Sequence, residues 1–150
     1  MIRNYTSTVP VERSTAAIER LLVDAGATHI ARSYNGGWLT GFVFSIIVDG
    51  KSVTFKLPAN PAAIKRVLEK GMKRMRSSTA QRLQEQAERT AWKLLHDWVH
   101  VQISLIQMGQ ADAVQVFLPY AYDALKEQTL YEQLKENGFK ALTAGSEVLR

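Results

Sequence analysis

A run of apolar residues in the second half of the sequence constrains the fold more than any other feature. Between Ala87 and Met108 the apolar side chains recur at steps of four and three, which is typical of an α-helix. A first stripe consists of Ala87, Ala91, Leu94, Trp98, Val101, Leu105 and Met108. A second, flanking stripe consists of Trp92, Leu95, Val99, Ile103 and Ile106. Because a helix with so wide an apolar arc packs on two sides, we predict one long central helix over about residues 79–108, capped by the segment 77–79.

Turn residues divide the first third of the chain into strands. Asn35-Gly36-Gly37 and Asp49-Gly50 contain residue types that accept positive φ, so each segment predicts a tight hairpin turn. The runs that they separate are rich in β-branched and aromatic residues, which favour strands. These runs are His29 to Tyr34, Trp38 to Val48 and Lys51 to Leu57. We therefore expect an antiparallel meander of three strands.

The rest of the chain predicts shorter elements. The run from Asn4 to Val9 alternates and stops at Pro10, which predicts a fourth strand. We expect Ser14 to cap a first helix that ends at Gly26. A second helix begins at Pro61 with Asn60 as its cap and turns Ile64, Val67, Leu68 and Met72 inward. One or two short helices are expected over Tyr122 to Asn137, after an apolar run from Val114 to Leu118.

Together these elements predict a single α+β domain over residues 1–150. An antiparallel sheet of three or four strands packs against helices, with a strand, helix and meander in 1–60 and a mainly helical part in 61–150. A hydrophobic content of 46% and the absence of cysteine exclude a disordered chain, a disulfide framework and a cysteine-based metal site. The first residues do not resemble a signal peptide, and no apolar run reaches the ~20 residues of a membrane span. We expect a soluble, cytoplasmic protein without membrane contact.

The positive charge is concentrated in the middle of the chain. The net charge of +5 divides into +2 for residues 1–60, +6 for residues 61–93 and −3 for residues 94–150. We predict a binding surface for the phosphate backbone of DNA or RNA here, because clustered cations attract phosphates by counterion release. The candidate residues, called the basic cluster below, are Lys65, Arg66, Lys70, Lys73, Arg74, Arg76, Arg82 and Arg89. Of these, Arg66, Lys70, Lys73 and Arg74 share one helical face.

Other interpretations of the same residues remain open. The basic cluster could be a solvated face, or it could dock onto the acidic last third of a second copy. The rival function is a protein-interaction or ligand-sequestering module, with its surface at the Trp38 hairpin or at Phe117 to Tyr120. The two stripes of the long helix also allow a homo-oligomer, in which one stripe is buried against another protomer.

The sequence contains few features that indicate a catalytic site or a metal site. There is no Gly-x-Ser-x-Gly elbow and no phosphate-binding glycine loop, so we expect no catalytic residues and no cofactor. His96 and His100 are four residues apart, but a third ligand is missing and the cation Lys93 lies nearby, so we predict no metal site. An enzyme would need a pocket around these two histidines. Glu85 and Glu88 are expected to pair with Arg82 and Arg89 along the helix.

Two resemblances add context. The order of one helix, three antiparallel strands and a second helix from Val11 to Arg76 is similar to the double-stranded RNA-binding domain. That family's glycine-rich loop and its Lys-Lys-x-Ala-Lys run are absent, so its function is not transferred.

The second resemblance covers most of the chain. The segments that carry it are 4–10, 55–58, 86–93, 97–99 and 117–120. Together they resemble small uncharacterised proteins of bacteriophages and prophages, which implies a role in phage DNA metabolism or against host defences. Our leading hypothesis is therefore a non-enzymatic, nucleic-acid-associated protein of phage or mobile-element type. The alternative is an inhibitor of a host defence factor, which would be a protein-interaction module.

Overall fold

The protein divides into two compact units, each assembled from two separate stretches of chain. A computed structural model describes residues 6–70 and 77–143. We call Met1–Gly26 with Pro58–Gln110 the helical unit, and Ala27–Leu57 with Ala111–Arg150 the sheet unit. The helices and antiparallel strands confirm the predicted α+β class. The single domain over residues 1–150 stays a prediction.

Three helices form the described part of the helical unit. They are α1 (Val11–Asp24), α2 (Pro61–Glu69) and α3 (Ser77–Gln107). Helix α3 is 31 residues long and packs against both α1 and α2, which confirms the long central helix. Nowhere in the described ranges does a helix combine the length and apolar character that a membrane crossing requires.

The two apolar stripes of α3 are buried to different extents. The second stripe provides four buried residues, which are Trp92, Leu95, Val99 and Ile103. The first stripe is buried only at Ala87 and Ala91, whereas Val101 is 57% and Met108 is 77% exposed. The rotation of α3 is therefore set by the second stripe.

The segment before α1 departs from the prediction. Residues 6–9 form no strand, so that expectation is wrong for them, and Asn4 and Tyr5 lie outside the described residues. The carbonyl oxygen of Ser7 instead accepts hydrogen bonds from the side chains of Gln86 (3.1 Å) and Arg89 (3.2 Å) on α3. This backbone oxygen is thus satisfied by side chains rather than by a neighbouring strand.

The start of α1 also differs from the expectation. The helix begins at Val11 directly after Pro10, whose carbonyl oxygen accepts from the backbone N–H of Arg13 and Ser14. Ser14 is therefore not the N-cap but a buried residue inside the helix, and its hydroxyl oxygen has no hydrogen-bond partner among the described residues. Gly26, with φ of 103°, follows the last turn as predicted.

The start of α2 is confirmed. The side-chain oxygen of Asn60 accepts from the backbone N–H of Ala63 at 3.1 Å, and Pro61 is the first helical residue. The inward face is less buried than predicted, because Ile64 and Leu68 are half-buried and Val67 is exposed. Met72 lies outside the described residues.

The meander of the sheet unit is confirmed. It consists of β1 (Ala27–Asn35), β2 (Trp38–Val48) and β3 (Lys51–Lys56), all antiparallel in the order β1-β2-β3. Asn35 pairs with Trp38, and the two residues between them, Gly36 and Gly37, have φ of 57° and 83°. Positive φ at both turn positions is the geometry that a two-residue hairpin needs.

The second part of the sheet unit contains small elements. They are α4 (Ala113–Phe117), the strands β4 (Tyr122–Asp123) and β5 (Gln128–Thr129), helix α5 (Leu130–Glu136), and two 3₁₀ turns at Leu118–Tyr120 and Lys140–Leu142. The prediction of a helix that starts at Tyr122 is wrong for the first half of the predicted range. The Asp123 side chain accepts from the backbone N–H groups of Leu125 and Lys126, which folds this stretch into a hairpin turn. Thr129 and Glu132 then form the capping box that starts α5.

Three aromatic rings join α4 to the meander. The centroid of Phe117 lies 5.3 Å from that of Phe44 and 5.7 Å from that of Phe55, and all three residues are buried. Phe44 and Phe55 are cross-strand neighbours on β2 and β3. The cluster is therefore a central part of the sheet unit's apolar core.

We expect Phe117→Ala to lower the free energy of unfolding by about 3–5 kcal/mol, because it removes a buried ring and leaves a cavity. Urea denaturation of the variant and the wild-type chain measures this difference. Leu125→Ala is the control, since Leu125 is almost fully exposed and should change stability by less than about 0.5 kcal/mol. Equal losses in both variants would contradict the role of the ring cluster.

Candidate functional site

The basic cluster belongs to the helical unit. Lys65 and Arg66 lie on α2, Lys70 is its C-cap residue, and Arg82 and Arg89 lie in the first half of α3. Lys73, Arg74 and Arg76 are outside the described residues. Because α2 and α3 pack together, the described members of the cluster come from two adjacent helices.

Three of these cations are exposed at the surface. Arg66, Lys70 and Arg82 are exposed, and none of them makes an ion pair within residues 6–70 and 77–143. Lys65 is less available, because its ammonium lies 4.0 Å from a carboxylate oxygen of Glu69. A contact this long between partly exposed groups contributes little to stability.

Arg89 has a different environment. Its Nε donates to the carbonyl oxygen of Ser7, and a terminal nitrogen donates to the side-chain oxygen of Gln86 at 2.7 Å. The side chain is half-buried, and its guanidinium fixes the segment before α1 to α3. Sequence reasoning placed Arg89 among the phosphate-binding cations because charge and spacing alone do not reveal these contacts.

The division into two units changes how the charge is distributed. The helical unit contains 12 basic and 7 acidic residues, which gives a net charge of +5. The sheet unit contains 7 of each and is neutral. The entire net charge of the protein therefore belongs to the helical unit. Consecutive blocks of sequence do not show this, because both units are discontinuous.

The two histidines of α3 are stacked beside a lysine. The ring centroids of His96 and His100 are 6.3 Å apart, and their planes differ by 15°. The ammonium of Lys93 lies 2.7 Å from Asp97 Oδ1 and 3.3 Å from His96 Nδ1. Asp97 Oδ1 also lies 3.6 Å from His96 Nδ1, so this ring nitrogen is close to both members of the Lys93–Asp97 ion pair. Burial lowers the pKa of His96 below its ordinary value, and the positive charge of Lys93 lowers it further.

The described part of the chain contains no group of three or more His, Asp or Glu side chains placed to share a metal ion. Each histidine instead borders its own cleft. A cleft of about 410 Å³, here called the α1 cleft, is lined by His96 of α3 and by Arg13, Ala16, Ala17, Arg20, Leu21 and Asp24 of α1. A second cleft, of about 470 Å³, is lined by Leu94, Asp97, Trp98, His100 and Val101. Neither lining includes a hydroxyl or thiol that could act as a nucleophile.

Glu88 is a buried carboxylic acid, whereas its spacing in the sequence predicts an ion pair with an arginine along the helix. Within the described ranges, neither Glu85 nor Glu88 forms an ion pair with Arg82 or Arg89, so the expected helical pairing is wrong. Glu88 is only 4% exposed and accepts a hydrogen bond from the side-chain amide of Gln84 at 2.9 Å. Burial raises the pKa of Glu88, and the hydrogen bond from Gln84 offsets part of this effect. Glu88 faces inward because it follows the buried Ala87 on the same side of α3 as Ala91 and Trp92.

Comparison with known proteins adds no further assignment. No family model, no curated protein and no solved structure matches this chain.

We expect Glu88→Gln to raise the melting temperature at pH 7 by about 2–4 °C, because it removes a buried charge while keeping an oxygen that accepts from Gln84. The pKa of Glu88 is higher in the folded state than in the unfolded state, so this residue contributes most to the free energy of unfolding at pH values below its unfolded pKa. That contribution is lost as the pH rises through the folded pKa. The gain from Glu88→Gln should therefore shrink as the pH is lowered towards 4. Thermal unfolding at both pH values measures it.

Glu85→Gln is the matched control, because Glu85 lies one turn earlier on α3 and accepts from Gln81 in an exposed position. It should leave the melting temperature nearly unchanged at both pH values. A lower melting temperature for Glu88→Gln at pH 7 would show that the buried carboxylate stabilises the fold.

Proposed function

We propose that this chain is a non-enzymatic nucleic-acid-binding protein that holds the phosphate backbone of DNA or RNA through its basic cluster. The main observation behind the proposal is that Arg66, Lys70 and Arg82 on α2 and α3 are exposed and form no ion pair with any other described residue. They belong to the unit that contains all of the net positive charge.

Unpaired cations are suited to this role for a physical reason. An arginine or lysine already bound to a carboxylate must give up that partner before it binds a phosphate. Arg66, Lys70 and Arg82 have no such partner among the described residues, so each phosphate contact releases a counterion from the nucleic acid without a compensating loss. Contacts of this kind fix position and affinity but do not select a base sequence.

The biological setting is part of the same proposal. The resemblance to small bacteriophage and prophage proteins supports a phage or mobile-element origin. A nucleic-acid-binding protein without cysteine suits the reducing cytoplasm, where its ligand is found and disulfides are rare.

A binding titration with single- and double-stranded DNA and RNA at two salt concentrations tests the proposal. We expect the triple variant Arg66→Gln, Lys70→Gln and Arg82→Gln to bind every sequence more weakly. On duplex DNA, it should reduce the slope of log affinity against log salt by about 3, one for each lost phosphate contact.

The control removes the same charge from the other unit. Lys51, Lys126 and Lys135 are exposed residues of the sheet unit, and their replacement by glutamine should leave the affinity close to that of the wild-type chain. Absence of binding at low salt would overturn the proposal, as would equal losses in the two triple variants.

One observation favours the second candidate, a protein-interaction module such as an inhibitor of a host defence factor. The β1–β2 hairpin exposes two aromatic residues, with Tyr34 60% and Trp38 39% exposed. Aromatic residues of this kind are common anchors of protein interfaces. In the other predicted surface, Phe117 to Tyr120, the ring of Phe117 is buried in the sheet unit's core and is not available. A partner bound at the hairpin would be lost with Trp38→Ala and would depend little on salt.

A further inference from the structure

We propose that the α1 cleft binds a phosphate monoester. The cleft is formed by α1 and α3 within the helical unit and uses none of the residues of the basic cluster. Phosphate binding in this cleft is therefore independent of the proposed binding at the basic cluster. Its volume of about 410 Å³ lies within the usual range of small-molecule sites.

The spacing of residues on α1 accounts for the shape of the cleft. Arg13 and Arg20 are seven residues apart, which is about two turns and places both on the same side of the helix. Ala16 and Ala17 lie between them, and their methyl groups leave open the space that longer side chains would fill. Two long cationic side chains thus border a gap with an apolar floor.

The two arginines of the cleft favour an anionic ligand, and with the carboxylate of Asp24 the lining has a net charge of +1. Arg13 and Arg20 are both exposed, and neither makes an ion pair within residues 6–70 and 77–143. Guanidinium groups bind phosphate oxygens through paired hydrogen bonds, so two of them can hold one phosphate group from two sides. A single carboxylate would engage one guanidinium and leave the other without a partner.

The other residues that line the cleft provide an imidazole, a carboxylate and apolar side chains. His96 comes from α3, and its imidazole offers a ring nitrogen that can form a hydrogen bond with the ligand. Asp24 lies one turn beyond Arg20, where it can accept from a hydroxyl or amino group of the ligand and repels a second acidic group. Leu21 and the two alanines contact the apolar part of the ligand. The cleft therefore suits one phosphate joined to an uncharged or cationic body.

A phosphate monoester has two sources, a free metabolite or the 5′-terminal phosphate of a nucleic acid strand. Titration of the full chain with adenosine 5′-monophosphate, followed by NMR or calorimetry, tests the shared chemistry, with adenosine as the unphosphorylated comparison. We expect the monophosphate to bind at least tenfold more tightly than adenosine. A pair of oligonucleotides with a 5′-phosphate or a 5′-hydroxyl distinguishes the two sources, because only a strand-end site prefers the phosphorylated form.

Two variants examine the cleft itself. Arg13→Gln combined with Arg20→Gln should weaken monophosphate binding at least tenfold. Ala16→Leu should weaken it similarly by filling the gap, although it keeps every charge and places a strong helix former at an exposed position. The triple variant of Arg66, Lys70 and Arg82 should retain the wild-type affinity for the monophosphate.

The outcomes of these measurements distinguish phosphate binding in the α1 cleft from binding at the basic cluster. Absence of monophosphate binding at millimolar concentration would overturn the inference, and so would full affinity in either cleft variant. Loss of monophosphate binding in the basic-cluster variant would also overturn it, because that result would place the phosphate on α2 and α3 rather than in the cleft.

Discussion

Burial of one face of α3 is the interaction on which the helical unit depends. Trp92, Val99 and Ile103 are almost completely buried on a helix that packs against α1 and α2. Their burial sets the rotation of a 31-residue helix, and this rotation determines the position of every other side chain along it. It keeps Arg82 exposed, brings His96 to the wall of the α1 cleft and forces Glu88 into the interior at an electrostatic cost.

The same packing accounts for where the charge lies. Long cationic side chains cannot be buried without partners, so the basic residues of α1, α2 and α3 remain at the surface or, like Arg89, find hydrogen-bond acceptors. The helical unit consequently carries the whole net charge of +5, whereas the sheet unit uses a neutral set of residues around its phenylalanine cluster. The two phosphate-binding proposals use different cations of this one unit, those of α2 and α3 for a strand backbone and those of α1 for a single phosphate.

Features that depend on neighbouring residues could be predicted from the sequence. The Asn35-Gly36-Gly37 hairpin and the Asn60 cap each depend on the conformation of three or four consecutive residues. Features that depend on distant partners could not. The carbonyl oxygen of Ser7 accepts hydrogen bonds from side chains 79 and 82 residues further along the chain, and these bonds take the place of the expected strand pairing. The two stripes of α3 have the same periodicity, so their spacing could not tell which one is buried. The basic cluster was visible as charge, but the α1 cleft joins helices that are about seventy residues apart and carries no sequence motif.

We have proposed that phosphate backbones bind to α2 and the first half of α3. A map of backbone amide chemical-shift changes, recorded while a short DNA duplex is added at low salt, tests it most directly. We expect the largest changes near Arg66, Lys70 and Arg82 and small changes throughout β1, β2 and β3. Changes concentrated around Tyr34 and Trp38, or no changes at saturating duplex, would contradict it.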